Sequence, residues 1–373
     1  MTLIAHLEGL EDSRKDINKS YDLIDIIFLT MAAVLSGAKG WKAIKIFGDT
    51  KLDWLRLHRP FEAGIPTRHS IGRIIRGIQS ESLLSCFEQW VNSLRKSEGK
   101  EQISFDGKAI RGSGHSEHLS ALQLMSAMIV ESGLILTQKE SEGKKNEIKT
   151  MQAMLSSLEV KGAVITADAM HCQTKTAELI RERGADYVLQ VKNNQKKLSN
   201  EIKAFFHKTA RDTPTDLEGR FYSDVDGEHG RISEREYQLL PITSWLTTAE
   251  DWSGCQSVVQ VNRRRTIKGK IQQETSFYLT SLADNVEEIA GFIRNHWAIE
   301  NSQHWVLDVT FREDESQIYA EDGAKNMALF RRALMNMIKA HPFKDSVAGK
   351  MMRAGWDDKF REEIIFGQKS AKV

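Results

Sequence analysis

The chain has 373 residues, of which 40% are hydrophobic, and it carries 52 basic and 51 acidic side chains. Its length exceeds that of one typical domain, so two or three domains are expected. A net charge of +1 excludes a protein that attracts polyanions through its overall charge, so any nucleic-acid surface has to be a local patch. Three scattered cysteines, Cys86, Cys172 and Cys255, argue against a disulfide framework or a zinc ribbon and favour a reducing cytoplasm.

No stretch of the chain predicts membrane insertion or export. The most apolar run, residues 26–35, is shorter than the roughly 20 residues that span a bilayer, and it fits a core helix. The first residues, Met1-Thr2-Leu3-Ile4, lack the basic start and the cleavage site of a signal peptide. We therefore expect a cytoplasmic protein without a membrane partner.

Residues 1–97 predict an all-α N-terminal domain. Apolar residues follow helical spacing over 21–37, 41–57 and 81–95. Residues 67–76 form an amphipathic run with three arginines, which fits a DNA recognition helix; a solvated helix face is the alternative that we favour. Residues 96–101 contain no apolar side chain and have the polarity of a linker.

Residues 102–192 alternate between strand and helix patterns. Short apolar runs and helical spacing distinguish the two kinds of element. The predicted strands lie at 103–106, 121–130, 134–138, 163–168 and 187–191, and the predicted helices at 147–158 and 174–183. This order predicts an α/β fold with a mixed sheet flanked by helices.

After Lys192 a polar, β-prone region predicts an insertion domain over 193–283. Its candidate strands lie at 220–225, 234–239, 257–262 and 275–280. Helical spacing resumes at Asn285, continues through Glu300 and returns over 323–340. Residues 284–345 are therefore expected to complete the α/β core, and residues 346–373 to form a C-terminal tail.

Two of the predicted strands end in an aspartate, Asp106 and Asp168. A carboxylate at a strand end is held rigidly, and one hairpin and one helix between these strands allow them to be neighbours. Each aspartate also has a simpler explanation, because an Asp-Gly pair is most often a turn and Asp168 could cap the following helix. The pair is nevertheless the best candidate for a functional site.

Glu300 lies on a predicted helix between two histidines. His296 and His304 stand one turn on either side of it and share its face. Such a face could bind zinc, but the chain has no HExxH motif, so the zinc interpretation is weak. The nearby acids that could instead supply a third carboxylate are Asp308, Glu313, Asp314 and Glu315.

Three carboxylates on two strands and a helix could surround hard divalent cations, which prefer carboxylate and water oxygens. Two-metal phosphoryl transfer needs such a cage. The chain has no Walker A motif, GxGxxG fingerprint or GxSxG elbow, so nothing indicates a nucleotide-driven enzyme or a serine hydrolase.

Basic residues are concentrated in a few short segments, several of them between predicted strands of the insertion. This arrangement suits a surface that follows a phosphate backbone, and ordinary solubilising charge is the alternative. The candidate DNA contacts are Lys108, Arg111, Lys145, Lys192, Arg231, Arg263, Arg264 and Arg265.

Several motifs are distinctive when taken together. They are Phe105-Asp106-Gly107-Lys108 with Arg111-Gly112, Lys145-Asn146-Glu147-Ile148, Thr166-Ala167-Asp168-Ala169-Met170-His171-Cys172-Gln173, Gly184-Ala185-Asp186-Tyr187-Val188 with Lys192-Asn193-Asn194-Gln195, Glu228-His229-Gly230-Arg231, and His296-Trp297-Ala298-Ile299-Glu300-Asn301. With the helical N-terminal region, they resemble the DDE insertion-sequence transposases over nearly the whole chain. The resemblance is to the branch that includes the H-repeat-associated proteins of Rhs elements.

The resemblance implies an RNase H-like catalytic core whose acid triad is Asp106, Asp168 and Glu300. It implies two Mg²⁺ or Mn²⁺ ions as cofactors. It also implies double-stranded DNA as substrate, at the terminal inverted repeats and the target, with cut-and-paste transposition as the activity. Because transposition joins two ends, a homodimer bound to both ends is expected, associated with the bacterial nucleoid.

Two other functions fit the same core. One is a structure-selective DNA nuclease without strand transfer, and the other is a DNA-binding protein whose catalysis has decayed. Related cut-and-paste transposases usually carry Tyr, Arg and Lys around the third acid, where this chain has Ile293, His296 and Leu307. Use of a DNA-hairpin intermediate therefore does not follow from the resemblance.

Overall fold

A computed structural model shows that the N-terminal region is built from helices. It describes the chain except for residues 1, 96–99, 115–119, 144–145, 213–219, 229–230, 243–244, 268, 319, 321 and 368–373. The first helices are α1 (Leu3–Leu7), α2 (Leu23–Leu35), α3 (Trp41–Thr50), α4 (Leu52–Arg56), α5 (Arg68–Arg76) and α6 (Ser80–Leu94). The single helix expected over 41–57 is divided into α3 and α4.

Helix α2 contains the most apolar run of the sequence and is buried along its whole length. A helix that is apolar all round needs neighbours on every side, and here the other N-terminal helices and the C-terminal helices supply them. Over the described ranges, no helix combines the length and the apolar character needed to cross a membrane.

The central part of the chain forms one side of a mixed sheet. Its strands are β1 (Gln102–Ile110), β2 (Leu122–Ile129), β3 (Ile135–Ser141), β4 (Val164–Ala167) and β5 (Asp186–Val191), with helices α7 (Glu147–Ser157) and α8 (Thr174–Glu182) between them. Strand β1 pairs antiparallel with β2 and parallel with β4, and β4 pairs parallel with β5. The predicted mixed α/β class is confirmed.

The next segment adds a helix and four strands to the same sheet. These are α9 (Lys196–Asp212), β6 (Phe221–Glu228), β7 (Arg231–Pro241), β8 (Ser257–Ile267) and β9 (Lys270–Thr280). Strand β9 pairs antiparallel with β5, which gives one sheet in the order β3-β2-β1-β4-β5-β9-β8-β7-β6. The predicted insertion strands therefore extend the core sheet. The boundaries 193–283 stay a prediction.

Helix α9 was not predicted, because the region after Lys192 was interpreted as β-prone. Its buried side chains Leu198, Ile202 and Phe206 nevertheless recur every four residues, which is helical spacing. Phe205, on the same helix, stacks on Trp245 with ring centroids 3.9 Å apart. The signal was present, but the many lysines around it concealed the apolar stripe.

The C-terminal part of the chain is helical. It contains α10 (Val286–Asn295), a π-helical turn (Glu300–His304), α11 (Trp305–Val309), α12 (Gly323–Ala340), α13 (Val347–Trp356) and α14 (Asp358–Phe366). Residues 346–373 were expected to be a tail, and the structure differs from this expectation. Helices α13 and α14 pack against α2 because Phe360, Ile364 and Ile365 are apolar and become buried.

Candidate active site

Asp106 and Asp168 lie side by side on neighbouring parallel strands. Phe105 of β1 is paired with Ala167, the last residue of β4, and each of the two is followed directly by an aspartate. Alternate residues of a strand face the same side of a sheet. Asp106 therefore shares a face with Ser104, and Asp168 continues the face of Thr166 at the end of β4.

A buried polar network lies under the two aspartates. The hydroxyls of Ser104 and Thr166 are 2.8 Å apart, and the Gln102 side-chain amide donates to Thr166 Oγ1 at 3.1 Å. The same amide donates to the Phe292 carbonyl of α10 at 2.8 Å. Thr166 Oγ1 also lies 3.1 Å from Nδ1 of His296. The network therefore fixes the segment after α10 over the face that carries the aspartates.

That segment brings its two histidines to the two aspartates. His296 Nε2 lies 3.5 Å from Asp168 Oδ1, and His304 Nδ1 lies 3.2 Å from Asp106 Oδ2. Glu300 stands between the histidines, at the start of the π-helical turn. Such turns are rare and often occur at functional sites. The three acids expected from the sequence thus lie in one region, near enough for the charges of both aspartates to act on Glu300.

The charges of the three acids act on one another. Burial raises the pKa of Glu300, and the negative charges of Asp106 and Asp168 raise it further. The hydrogen bond from His296 holds the pKa of Asp168 below its usual range, although burial opposes this. The site therefore concentrates negative charge that imidazoles offset only in part.

The four acids considered as alternatives to Glu300 for the third carboxylate have basic partners. Glu313 is 0% exposed and lies 2.9 Å from the Arg332 guanidinium. Asp308 and Asp314 both pair with one lysine, and Glu315 pairs with the arginine three residues before it. Among the described side chains, no lysine or arginine forms an ion pair with Glu300. Glu300 therefore stays the candidate for the third carboxylate.

Neither of the simpler explanations for the aspartates holds in the structure. The Asp106-Gly107 pair lies inside β1 rather than in a turn. Asp168 makes no capping hydrogen bond to the short 3₁₀ helix that follows it, and α8 begins only after Gln173. Asp106 accepts the Gly107 backbone N–H on Oδ1 at 2.8 Å, which leaves Oδ2 for the site, and the Asp168 carboxylate makes no capping hydrogen bond.

A second motif holds the loop after Asp168. The side-chain amide of Asn194 donates to the Ala169 carbonyl at 2.7 Å, and that of Gln195 donates to the Cys172 carbonyl at 2.9 Å. These residues belong to the motif at 192–195. Its place among the motifs of the family resemblance indicated that it matters. Its contacts were not predicted, because they depend on the pairing of β4 with β5.

His171 is a further residue beside the acids that the sequence did not single out. It is 2% exposed, and its Nδ1 has no hydrogen-bond partner in the described part of the structure. Burial lowers the pKa of His171 to about 4, and the charges of Asp168 and Asp106 act in the opposite direction. Its imidazole is therefore neutral at physiological pH.

The donor set suits a hard divalent cation. Asp106, Asp168 and Glu300 supply oxygen ligands, which Mg²⁺ and Mn²⁺ prefer. As the described side chains are placed, no three acidic, imidazole or thiol groups are close enough to hold one ion. Asp106 and Asp168 contact imidazoles instead. The three carboxylates fit the cation by their oxygen ligands and their negative charge. The imidazoles of His296 and His304 would have to move away from the aspartates for a cation to bind.

Lys108, which follows the first acid and was expected to contact DNA, forms ion pairs inside the protein instead. The Lys108 side chain is only 7% exposed, and its ammonium lies 2.6 Å from Asp308 and 2.9 Å from Asp314. The reason is strand alternation, which points Lys108 toward the same covered face as Asp106. Arg111 is 85% exposed and has one 3.5 Å contact, with Asp314, so it can reach a ligand.

The other basic candidates occupy different environments. Lys192 is exposed at the end of β5, where its charge reaches Asp168. The arginine run 263–265 lies on β8, so its side chains alternate between faces and do not form one patch. Arg263 and Arg264 pair with glutamates of neighbouring strands. The Arg231 side chain and Lys145 lie outside the described residues.

Comparison with known proteins gives the family. A family model described as "Transposase DDE domain" matches residues 97–337, and one described as "DDE_Tnp_1-associated" matches residues 4–91. H repeat-associated putative transposase YhhI of Escherichia coli strain K12 is 32% identical over 372 residues, which are 98% of each chain. Putative transposase YncI of Escherichia coli O157:H7 is 32% identical over 98% of this chain and 94% of that one.

A solved structure, a piggyBac transposase synaptic complex with hairpin DNA, aligns with a TM-score of 0.49 and 9% sequence identity, over 99% of this chain and 78% of that chain. The matched domain model and the near full-length relatives confirm the resemblance stated from the motifs. The chain belongs to the DDE transposases, in the branch that includes the H repeat-associated proteins.

Proposed function

We propose that this protein binds the terminal inverted repeats of an insertion sequence and moves the element by metal-dependent DNA cleavage and strand transfer. The observation that carries the proposal is the convergence of Asp106, Asp168 and Glu300 from two parallel strands and a π-helical turn. Membership of a transposase family supplies the class of reaction. Strand order β3-β2-β1-β4-β5, with β1, β4 and β5 parallel, supports an RNase H-like core.

We assign Asp106, Asp168 and Glu300 as the residues that hold two Mg²⁺ or Mn²⁺ ions. When bound, such ions lower the pKa of the attacking oxygen and stabilise charge on the leaving oxygen. The strands β1 and β4 keep the two aspartates rigid, and Glu300 approaches from a helical segment above them. His296 and His304, which lie 3.5 and 3.2 Å from the aspartates, would move aside when the ions bind.

The same site serves both chemical steps. In cleavage, water attacks a phosphodiester at the end of the element and a 3′-hydroxyl leaves. In strand transfer, that 3′-hydroxyl attacks a phosphodiester of the target and another 3′-oxygen leaves. Each step forms one P–O bond and breaks one, in line, so each needs charge stabilised at the same two oxygens.

Exposed cations near the acids are the proposed contacts for the substrate backbone. Arg111 lies beyond the end of β1, and Lys192 lies at the end of β5. Lys192 borders a groove of about 560 Å³ that also includes Met170 and Lys203 and runs past the loop after Asp168. Because most protein contacts to DNA go to phosphates, these residues would position the strand without reading its sequence.

We further propose that a homodimer holds two transposon ends, because both ends must be joined to one target. The helical region 1–97 would contribute to DNA binding, and the nucleoid would be the place of action. Residues 102–192 and 284–345 would form the catalytic core, with 193–283 as its insertion.

The proposal is tested with the purified full-length chain and labelled duplexes from the flanks of its own gene, in Mg²⁺ or Mn²⁺. We expect cuts at the element ends and joined products from the wild type, and neither from Asp168→Ala. Asp251→Ala, which changes an exposed acid on another segment, should behave like the wild type.

The other outcomes separate the alternatives. Metal-dependent cuts without joined products would replace the proposal with a DNA nuclease. Binding to the ends without cuts would indicate a DNA-binding protein whose catalysis has decayed. Undiminished cleavage by Asp168→Ala would remove the proposed site.

A further inference from the structure

The N-terminal helices α3 and α5 enclose a basic groove. The groove has a volume of about 640 Å³, and the side chains that define it are Trp41, Lys42, Ile46, Arg68, Arg73 and Arg76. We call it the α3–α5 groove. The helices approach closely at Gly72, where a Cβ atom would lie 3.1 Å from the Trp41 indole nitrogen.

Among the residues that the structure describes, no acidic side chain lines the α3–α5 groove. Its lysine and three arginines form no ion pair with any described residue, and Lys42, Arg68 and Arg73 are exposed. By contrast Lys45, on the same helix as Lys42, pairs with Asp49 at 2.5 Å. The groove is therefore a local excess of positive charge on a chain whose net charge is only +1.

Part of this surface is held in position by local contacts. Arg76 donates from Nε to the Gly72 carbonyl at 3.1 Å, which lays its side chain along α5. Thr67 caps α5, accepting a hydrogen bond from the Ser70 backbone N–H at 3.2 Å. The explanation favoured from the sequence, a solvated helix face, concerned α5 alone, whereas the structure adds Lys42 of α3 across the groove.

We propose that the α3–α5 groove binds the phosphate backbone of duplex DNA. The inference rests on the proposed function, because that function makes DNA the polyanion that the protein meets. Arginine and lysine are the usual phosphate contacts, and each neutralised phosphate releases condensed counterions. Charge carries the assignment to the backbone: Lys42, Arg68, Arg73 and Arg76 line the groove, and no acid opposes them among the described lining residues.

The test measures DNA affinity as a function of salt for Lys42→Ala and Arg73→Ala. The probes are a fluorescent duplex carrying a terminal repeat and an unrelated duplex of equal length, without divalent metal. We expect each variant to bind both duplexes more weakly and by the same factor. The slope of log affinity against log salt should fall by about 1 for each phosphate that the variant no longer neutralises.

Lys45→Ala is the matched control, because it removes a lysine from the same helix that is already paired with an acid. It should keep the affinity and the salt slope of the wild type. If an alanine variant is poorly folded by circular dichroism, Lys42→Gln and Arg73→Gln take its place and should show the same decrease in slope.

The outcomes distinguish this inference from the function on which it rests. If the wild type binds neither duplex, both are wrong. If it binds and cuts DNA but Lys42→Ala and Arg73→Ala bind like Lys45→Ala, the groove inference alone is wrong. A weakening confined to the terminal-repeat duplex would also overturn it.

Discussion

Thr166 is the residue through which the buried strands orient the segment after α10, which carries His296 and Glu300. Its hydroxyl meets Ser104, Gln102 and His296 at distances between 2.8 and 3.1 Å. The opposite nitrogen of His296 faces Asp168. A partner that fixes the ring of a histidine also fixes what the other ring nitrogen can do. Thr166 therefore positions His296, the imidazole that lies beside Asp168.

We expect Thr166→Val to lower the rate of DNA cleavage by about 10- to 100-fold, the usual effect of removing a supporting hydrogen bond at a metal site. Valine keeps the shape of threonine but cannot hydrogen-bond His296. The measurement is the initial rate at several metal concentrations. Thr166→Ser, which keeps the hydroxyl, should recover most of the rate, and equal rates for valine and threonine would contradict the role.

The sequence predicted the three acids but not their supports. Asp106 and Asp168 were proposed because each directly follows a short apolar run, and Glu300 because it lies on a predicted helix between two histidines. Thr166 was visible only as part of a motif, since its partners depend on the register between β1 and β4. Lys108 was misjudged for the same kind of reason: alternation along β1 places it on the covered face.

At the scale of elements, the loop after β4 is held by the end of β5. Asn194 and Gln195 donate to carbonyls at either end of residues 169–172. The parallel pairing of β4 with β5 places this motif next to the loop that carries Asp168. The loop is therefore anchored without a regular helix of its own.

Asn194→Ala should loosen this loop and slow DNA cleavage. The hydrogen bond that it removes is worth about 1 kcal/mol, which corresponds to roughly a fivefold lower rate if the loop has to be ordered for reaction. Asn200→Ala is the control, because the Asn200 side chain is exposed on α9 and forms no hydrogen bond with the described residues of the loop. Equal rates for the two variants would show that the Asn194 hydrogen bond does not matter.

A second link joins the turn after α11 to α12. Burial alone would raise the pKa of Glu313, but the charges of Arg332 and Arg331 outweigh burial and lower it. A carboxyl group whose pKa is lowered by folding stabilises the folded state at pH values above the ordinary pKa of that group. That stability is lost as the pH falls through the lowered value.

Glu313→Gln should destabilise the protein by about 3–5 kcal/mol at neutral pH, because it leaves buried arginines without their partner. Chemical denaturation measures the effect, which should shrink in acid as the wild-type carboxyl takes up a proton. Glu315→Gln breaks only an exposed pair with Arg312 and should change stability by about 1 kcal/mol or less. Similar destabilisation by both would refute the buried link.

At the scale of the molecule, the two ends of the chain are packed together. The guanidinium of Arg361 lies 4.0 Å from the ring centroid of Trp54, and Phe366 packs on Phe28 with centroids 5.8 Å apart. Lys51 pairs with Asp358 at 2.9 Å. Helix α2, apolar on every face, needs this cover. The sequence suggested a tail because no local pattern shows that the apolar face of α14 packs on α2, which is far away in sequence.

Ile364→Ala should therefore destabilise the whole N-terminal region, although residue 364 is far from it in sequence. Truncating a buried isoleucine typically costs about 2–5 kcal/mol. Thermal unfolding of the full-length protein measures the effect. Lys359→Ala, an exposed change on the same helix, should stay within about 0.5 kcal/mol of the wild type. A silent Ile364→Ala would mean that α14 is not part of this core.

The central claim is that Asp106, Asp168 and Glu300 hold the metal ions of a transposase. Its most direct test is anomalous diffraction from crystals of the protein grown with Mn²⁺ and end DNA. We predict manganese signal contacted by both aspartates and by Glu300, and weaker or absent signal in Glu300→Gln crystals. Manganese bound elsewhere, or bound equally well without the Glu300 carboxylate, would contradict the account.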